Sequence, residues 1–227
     1  MTFFDIFQLV ALGVFLIAVL SRAVSVRIKS RHNPIRLSVK RNTIQHAAAF
    51  VLFVAVNLWA VEILRTVLRP EWQLLPAGIY RRWVDGVTVR AFGAGLITVG
   101  LCIFVIAARQ LGTSWRLGID EQSPGALVTS GIYALSRNPI YVFFDLYFLG
   151  TFLINGTLLF LIALVLLALN LHIQIRQEER FLAARFGAAY VAYAARVGRY
   201  LALPDLRRAR QRLWEWRRPS FDQEQLL

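Results

Sequence analysis

The sequence predicts an all-α polytopic membrane protein with about five transmembrane helices, a C-terminal helical hairpin and an amphipathic interfacial helix. Hydrophobic residues make up 57% of the 227 residues, and they are gathered in long blocks rather than spread over amphipathic faces. A block of about 20 apolar residues matches the ~30 Å hydrocarbon core of a bilayer, where the backbone must be hydrogen-bonded internally. Basic residues flank these blocks, which is typical of a membrane protein and not of a nucleic-acid binder.

Three spans are predicted in the N-terminal half, at residues 3–20, 43–68 and 87–108. The first lacks the basic start and the small-residue cleavage site of a signal peptide, so we interpret it as a membrane helix. Glu62 and Arg65 lie three residues apart in the second span, where they can pair. Glu62 is either a structural interfacial residue or one that faces a cavity. In the third span, Gly93, Gly95 and Gly100 would let another helix approach closely.

The apolar run 143–175 is too long for a single crossing. Asn155-Gly156 interrupts it, and this dipeptide is a strong turn signal. We therefore predict two antiparallel helices, at 140–154 and 157–175, joined by a tight turn. The first is short for a full crossing, so it either tilts little or begins inside the protein.

The rest of the chain is polar and basic. Residues 176–200 carry apolar side chains at helical spacing, which predicts an amphipathic helix at the membrane interface, and the tail 204–227 lies on the membrane or is disordered. All but five of the 26 Lys and Arg residues fall within segments 21–42, 109–139 and 176–227. With five crossings, the positive-inside rule therefore predicts that the C-terminus is cytoplasmic.

The first of three candidate functional segments runs from Gly131 to Tyr141. Asn138-Pro139 is a natural helix start, because asparagine can cap a helix and proline suits its first turn. A helix N-terminus points backbone donors at anions, and Arg137 lies beside it. The segment thus predicts an anion site at the cytoplasmic interface.

The second segment is Glu178-Glu179, where a helix leaves the membrane on the same side. A carboxylate there could bind an ammonium group or a ribose hydroxyl, and the rings of Tyr133 and Tyr141 are suited to an adenine. A small zwitterion with a cationic centre and a nucleoside would meet complementary groups.

The third segment is 186–193, followed by Arg196 and Arg199. Each segment alone also has a structural explanation. Arg137 could be a positive-inside anchor, the two glutamates a solvated helix face, and the tyrosines an interfacial belt. The combination in this order is harder to explain structurally.

Taken in order, these segments resemble the isoprenylcysteine carboxyl methyltransferase family, within the wider group of integral membrane methyltransferases that includes phospholipid N-methyltransferases. That family carries a G-x-Y-x-x-x-R-H-P-x-Y segment, a hydrophobic hairpin, a Glu-Glu pair and an F-G-x-x-Y-x-x-Y segment. The matching positions are Gly131, Tyr133, Arg137, Pro139, Tyr141, Glu178, Glu179, Phe186, Gly187, Tyr190 and Tyr193. Asn138 replaces the usual His, so a proton step that depends on this His would not carry over.

The resemblance implies an S-adenosylmethionine-dependent methyltransferase acting on a lipophilic or membrane-associated small substrate with a carboxylate, thiol or amine acceptor. It implies a cofactor site formed by Gly131, Tyr133, Arg137, Asn138, Pro139, Tyr141 and Glu179. It makes Glu178 and Glu179 the candidates for contact with the ribose or amino group, and for a base if the acceptor is an amine. Arg196 or Arg199 would face a carboxylate of the substrate or cofactor.

On this interpretation the partners are a lipophilic substrate and membrane lipids, with no nucleic acid and no metal. The chain divides into a three-span region at 1–108, a cofactor-binding region at 109–203 and a basic tail at 204–227. The preference for Arg over Lys favours a multi-pass protein of a bacterial inner membrane. Two other functions stay open: an NADPH-dependent membrane reductase-like protein, and a non-catalytic membrane module of the same fold.

Overall fold

The computed structural model describes residues 2–30, 43–68, 75–112 and 125–200, and the regular structure in these ranges is helical. The elements are α1 (Phe3–Ser30), α2 (Thr43–Leu68), α3 (Ala77–Tyr80), α4 (Val87–Gln110), a 3-10 helix (Gly131–Ala134), α5 (Pro139–Asn155), α6 (Leu158–Phe186) and α7 (Ala188–Arg196). By length and composition, α1, α4 and α6 could each cross a membrane, and α2 is similarly long, with 26 residues. The prediction of an all-α polytopic membrane protein is confirmed. The five-span count stays a prediction, and the tail 204–227 lies outside the described residues.

The apolar core is an aromatic cluster at the junction of α1, α2, α4 and α5. The ring of Phe143 lies 4.9 Å from that of Phe104 and 5.1 Å from that of Phe15, centroid to centroid. Trp59 from α2 meets Tyr147 at 5.3 Å. Offset and edge-to-face aromatic pairs of this kind add to the burial of their apolar surface, so the cluster ties α1 and α2 to the α4–α5 pair.

Two glycines bring α4 and α5 into backbone contact. A Cβ on Gly93 would lie 2.7 Å from the Gly150 carbonyl oxygen, and one on Gly150 would lie 2.5 Å from the Gly93 carbonyl oxygen. Gly100 also faces α5, where the Phe143 carbonyl oxygen would be 3.3 Å from an added Cβ. The expectation for Gly95 is wrong within the described residues, because nothing there lies within 4 Å of its Cβ position. Small residues therefore set the spacing of the two helices.

The predicted turn between the hairpin helices is confirmed. Gly156 ends α5 in the left-handed conformation, with φ +66°, which glycine adopts without strain. Its carbonyl oxygen accepts hydrogen bonds from the amides of Trp83 and Val84 at 2.7 and 3.2 Å. The loop before α4 is thereby attached to the tip of the hairpin.

Contacts of α1 at both ends show how the helices alternate in direction. Asn155 Nδ2, beside the hairpin turn, donates to Gln8 Oε1 near the start of α1 at 2.7 Å. Arg22, further along α1, donates to the carbonyl of Gly112, just after the end of α4. The start of α1 and the hairpin turn therefore share one face of the protein, and the end of α4 and the start of α5 share the other.

Two helices are longer than the sequence pattern predicted. α1 continues to Ser30, and no glycine or proline in residues 21–30 interrupts it. α6 continues through the charged residues after Ile175 to Phe186, so the expected separate amphipathic helix at 176–200 is wrong. Gly187, with φ +52°, makes the break, and the short helix α7 follows it.

Candidate active site

Gln110, the last residue of α4, anchors the segment that leads into α5. Gly131 has φ +63°, a conformation that other residues rarely adopt. The Gln110 side chain fills the space that a Cβ at position 131 would need, and its Oε1 accepts a hydrogen bond from the Ile132 amide at 2.8 Å. Glycine is thus required at position 131. Sequence reasoning missed Gln110, because a glutamine at the end of an apolar helix carries no motif signal.

Tyr133 is buried in the 3-10 helix, where α7 contacts it. Its carbonyl oxygen accepts a hydrogen bond from the Tyr193 hydroxyl at 2.6 Å, and the rings of Tyr190 and Tyr193 meet edge to face at 6.0 Å. Burial raises the pKa of Tyr193 to about 12, while the charge of Arg137 acts in the opposite direction. Tyr193 therefore holds α7 next to the first candidate segment, and Tyr190 packs against the Tyr193 ring.

The residues before α5 run alongside the chain that follows α7. The Arg137 amide donates to the Gly198 carbonyl oxygen at 3.0 Å. Ser136 Oγ and Asn138 Nδ2 both donate to the Arg199 carbonyl oxygen, at 3.3 and 3.1 Å. Ser136 is fully buried, yet sequence reasoning did not single it out, because a loop serine has many structural roles. These bonds fix residues 198–199 beside the start of α5.

Asn138 begins α5 as predicted, with Pro139 in the first turn, but its side chain does not cap the helix. Asn138 Nδ2 instead donates to Glu179 Oε1 at 3.2 Å. Both Asn138 and Pro139 are buried, so the short helix α5 begins inside the protein. The capping role expected for Asn138 is wrong, and its amide belongs to the Glu179 cluster.

Glu179 is the centre of the candidate site. Its Oε1 is 3.0 Å from Arg137 Nη2, and its Oε2 accepts hydrogen bonds from Arg199 Nη2 and Nε at 2.6 and 2.9 Å. The hydrogen bond from Arg199 to Glu179 raises the pKa of that guanidinium. We call Arg137, Asn138, Glu179 and Arg199 the Glu179 cluster. With two guanidiniums and one carboxylate, it carries a net positive charge and suits an anion.

The neighbouring acid, Glu178, has a different partner. Its Oε2 accepts a hydrogen bond from the Tyr141 hydroxyl at 2.9 Å. Adjacent residues on a helix point about 100° apart, so Glu178 faces the first turn of α5 while Glu179 faces the two arginines. The Glu-Glu pair therefore joins α6 to two different parts of the candidate site.

Two polar groups near the cluster are buried without a hydrogen-bond partner in the described part of the chain. They are Arg137 Nε and the Tyr190 hydroxyl. Burial raises the pKa of Tyr190 well above its usual value. The charge of Glu179 adds to this rise, and the charge of Arg137 opposes it. Buried donors are rarely left unpaired in native proteins, so this region is chemically suited to a polar ligand.

The arginine Arg196 does not join the cluster. It is exposed at the end of α7, and the described residues provide it with no hydrogen bond or ion pair to Glu179. The predicted meeting of Arg137 and Glu179 at the mouth of the hairpin is confirmed by their 3.0 Å contact. Of the two candidate arginines near the C-terminus, the geometry selects Arg199.

The sequence model of the phospholipid methyltransferase family matches residues 88–189, a region that contains α4, α5 and α6 but ends before Arg199. The chain is also 24% identical over 181 residues to the protein-S-isoprenylcysteine O-methyltransferase of Saccharomyces cerevisiae (strain ATCC 204508 / S288c). That alignment covers 75% of this chain and 70% of the yeast protein.

The family match and the yeast relative both agree with the resemblance drawn from the motifs. The family match spans the hairpin and the Glu-Glu pair, which are the features that the structure brings together around Glu179. Of the two hairpin helices, α6 is long and apolar enough to cross a membrane, and α5 is apolar but shorter. The chain is therefore an all-α polytopic membrane protein that is similar to the phospholipid methyltransferase family over residues 88–189 and to an isoprenylcysteine O-methyltransferase.

Proposed function

We propose that the protein uses S-adenosylmethionine to methylate a lipophilic or membrane-associated small molecule bearing a carboxylate, thiol or amine. The donor is a zwitterion joined to a nucleoside, so its site needs cationic groups for the carboxylate. The observation that carries the proposal is the Glu179 cluster, in which two guanidiniums share one carboxylate. The unpaired Arg137 Nε and Tyr190 hydroxyl are groups that a bound polar molecule would satisfy.

The proposed donor site consists of Gly131, Tyr133, Arg137, Asn138, Pro139, Tyr141, Glu178, Glu179 and Arg199. Both oxygens of Glu179 are engaged by guanidiniums, so we assign it the positioning of those two groups. Glu178 has one oxygen bonded to Tyr141, and it is the better candidate for contact with the ribose or amino group.

When bound, the donor supplies an activated methyl group on a good leaving group. The residues of this chain hold and orient the two reactants. Orientation alone can lower the reaction barrier by ~7–11 kcal/mol. The hydrogen bonds from Tyr193 to Tyr133 and from Arg137 to Gly198 keep α7 and its following residues beside the site. A carboxylate or thiolate acceptor needs no general base, whereas an amine must lose a proton.

The proposed location is a bacterial inner membrane with the C-terminus cytoplasmic. The strongly basic segments are predicted on that side, and the Glu179 cluster lies at the same face as the ends of α4 and α6. The similarity to a protein-S-isoprenylcysteine O-methyltransferase supports an acceptor that reaches the site from the bilayer. We also propose that the chain divides into a three-span region at 1–108, a cofactor-binding region at 109–203 and a basic tail at 204–227.

Calorimetry on the purified full-length protein in detergent tests the donor. We expect saturable binding of S-adenosylmethionine, with a loss of affinity of about 30-fold or more in Arg137→Ala and Arg199→Ala, because each substitution removes a charged partner from a buried group. Arg185→Ala, an exposed position on α6, is the matched control and should bind as wild type does.

Three outcomes would overturn the proposal. Wild-type protein that retains NADPH but not S-adenosylmethionine would indicate the reductase-like function. Protein that binds neither would indicate a non-catalytic module. Equal donor affinity in wild type, Arg137→Ala and Arg199→Ala would show that the donor binds elsewhere. Transfer of a labelled methyl group into the lipid extract of expressing cells would support methylation of a lipophilic acceptor.

A further inference from the structure

A second cluster of arginines lies at the face that holds the start of α1 and the hairpin turn, opposite the Glu179 cluster. Asp85 Oδ1 accepts hydrogen bonds from Arg90 Nη2, from Arg82 Nη1 at 3.2 Å and from the Gly86 amide at 2.7 Å. We call Arg82, Asp85 and Arg90 the Asp85 cluster. Its two guanidiniums share one carboxylate, so one positive charge is in excess and the cluster suits an anion.

The two arginines of the cluster stand on fixed parts of the backbone. Arg82 forms an isolated antiparallel bridge with Thr157, and the amide of the next residue, Trp83, donates to the Gly156 carbonyl oxygen at 2.7 Å. Arg90 lies in the first turn of α4. Because the hairpin turn and α4 hold both arginines, little conformational freedom is lost when their side chains bind a ligand.

The cluster has more hydrogen-bond donors than the described residues use. Arg90 Nε is buried and has no partner in the part of the chain that the structure describes. A guanidinium carries five N–H donors, and buried donors are rarely left unpaired. The side chain of Asp85 is 60% exposed and that of Arg82 is 35% exposed. The cluster is therefore open on one side, where an anion can reach its donors.

The cluster lies at the end of a predicted membrane span. By length and composition α4 could cross a membrane, and it begins at Val87, directly after Asp85 and Gly86. Both Trp83 and Val87 are exposed large apolar residues. Tryptophans at the end of a span typically lie at the level of the lipid headgroups. The Arg81 guanidinium lies over the Trp83 ring, 5.7 Å from its centroid, which adds a third cation at this depth.

The charge of this segment runs against the predicted topology. Only five of the 26 Lys and Arg residues lie outside the basic segments predicted to be cytoplasmic, and three of these five are Arg81, Arg82 and Arg90. Basic residues beside a span oppose its placement with that end on the non-cytoplasmic side. Because such a concentration of arginine is unfavourable for insertion, a specific interaction is the better explanation for it.

We propose that the Asp85 cluster binds the phosphate of an anionic phospholipid in the leaflet away from the donor site. The planar fork of arginine matches phosphate oxygens, to which it can donate two parallel hydrogen bonds. The acyl chains of such a lipid lie along the exposed apolar side chains at the start of α4, and its headgroup offsets the excess positive charge. This lipid anchors the tip of the hairpin and is not a methyl acceptor, so the inference is independent of the proposed function.

Lipid binding to the purified full-length protein in dodecyl maltoside tests the proposal. Calorimetry compares phosphatidylglycerol, a diacylglycerol with the same acyl chains, and inorganic phosphate, and we expect saturable binding of phosphatidylglycerol alone. The double variant Arg82→Gln with Arg90→Gln should bind it about tenfold more weakly, because two cations near the headgroup are lost. Arg27→Gln with Arg185→Gln, two exposed positions at the opposite face, is the charge-matched control and should bind as wild type does.

Asp85→Asn gives a prediction of the opposite sign. The substitution removes the carboxylate that competes with phosphate for the two guanidiniums, so phosphatidylglycerol should bind about threefold more tightly. Weaker binding in this variant would show that the cluster is a purely structural ion pair. The comparison of Asp85→Asn with wild type decides this point even if the double arginine variant does not fold, which size-exclusion chromatography and circular dichroism report.

Three further outcomes would overturn the proposal. Equal affinity for phosphatidylglycerol in wild type and in a folded double arginine variant would show that the lipid binds elsewhere. Diacylglycerol that binds as tightly as phosphatidylglycerol would show that the phosphate is not recognised. Inorganic phosphate that binds as tightly as phosphatidylglycerol would indicate a site for a free anion and not for a lipid.

Discussion

Two buried glutamates at opposite faces of the protein are paired with arginine in different ways. Glu62 is bonded to Arg65 of the same helix at 2.5 Å, and the Tyr80 hydroxyl lies 3.4 Å from its other oxygen. Arg65 in turn lies over the Tyr80 ring at 4.0 Å. Glu179 is paired with Arg137 and Arg199, which come from the segments before α5 and after α7.

The difference separates a structural ion pair from a binding cluster built of the same residue types. The Glu62 pair is local, balanced in charge, and satisfied by Arg65 and Tyr80. The Glu179 cluster is assembled from three separate chain segments, has one positive charge in excess, and retains a buried Arg137 Nε without a partner in the described residues. An excess of charge and an unpaired donor are what a ligand can use. Of the alternatives for Glu62, the structure favours the structural one.

The largest expected effect comes from Glu179→Gln. The neutral amide of glutamine cannot hold two guanidiniums. The charges of Arg137 and Arg199 are then left without a counter-charge, which costs about 2–5 kcal/mol of free energy. We expect donor affinity to fall by at least about 30-fold, measured by calorimetry. Near-wild-type affinity in this variant would show that Glu179 does not organise the site.

Asn138→Ala should have an intermediate effect. It removes the Nδ2 donor that joins Glu179 Oε1 to the Arg199 carbonyl oxygen, and loss of a hydrogen bond to a charged group costs about 1.5–3 kcal/mol. We expect donor affinity to fall about tenfold. Asn138→Asp, which places a second carboxylate against Glu179, should be worse than alanine. The opposite order would mean that Asn138 does not act through Glu179.

Glu62→Gln should change stability and leave donor affinity unchanged. The substitution leaves the mostly buried guanidinium of Arg65 without its counter-charge, which costs about 1–3 kcal/mol. A thermal unfolding scan in detergent should show a lower midpoint. If donor binding fell as far as it does in Glu179→Gln, the two carboxylates would not differ in role.

Arg196→Ala should have the smallest effect. The side chain is exposed, and exposed charges contribute ~1 kcal/mol or less. We expect donor affinity and thermal midpoint to match wild type, whereas Arg199→Ala loses affinity. A large loss in Arg196→Ala would return this residue to the site.

The sequence predicted the membrane helices, the hairpin turn and the approach of Arg137 to Glu179, because apolar block length, Asn-Gly and motif order are local or recurrent signals. It did not predict the length of α6, since the charged residues after Ile175 end an apolar run without ending a helix. The hydropathy of a residue indicates whether it faces lipid or water and does not by itself end a helix. The end of α6 is set by Gly187, whose backbone adopts a positive φ.

The roles of Gln110 and Ser136 could not be predicted either. Each makes a contact across a long stretch of chain, from Gln110 to Ile132 and from Ser136 to Arg199, and no local pattern marks such pairs. The contact of His172 with Tyr200 was hidden in the same way, because a single polar residue in an apolar run does not reveal what it faces.

The order of segments in the Glu179 cluster has a consequence for synthesis. Ribosomes deliver Arg137 first, then Glu179, and Arg199 only after α7, so the last cation arrives when all the described helices have already been made. In a chain that stops before that residue, Glu179 has one arginine partner in place of two. On the proposed function, the donor site is therefore complete only after residue 199 has been synthesised.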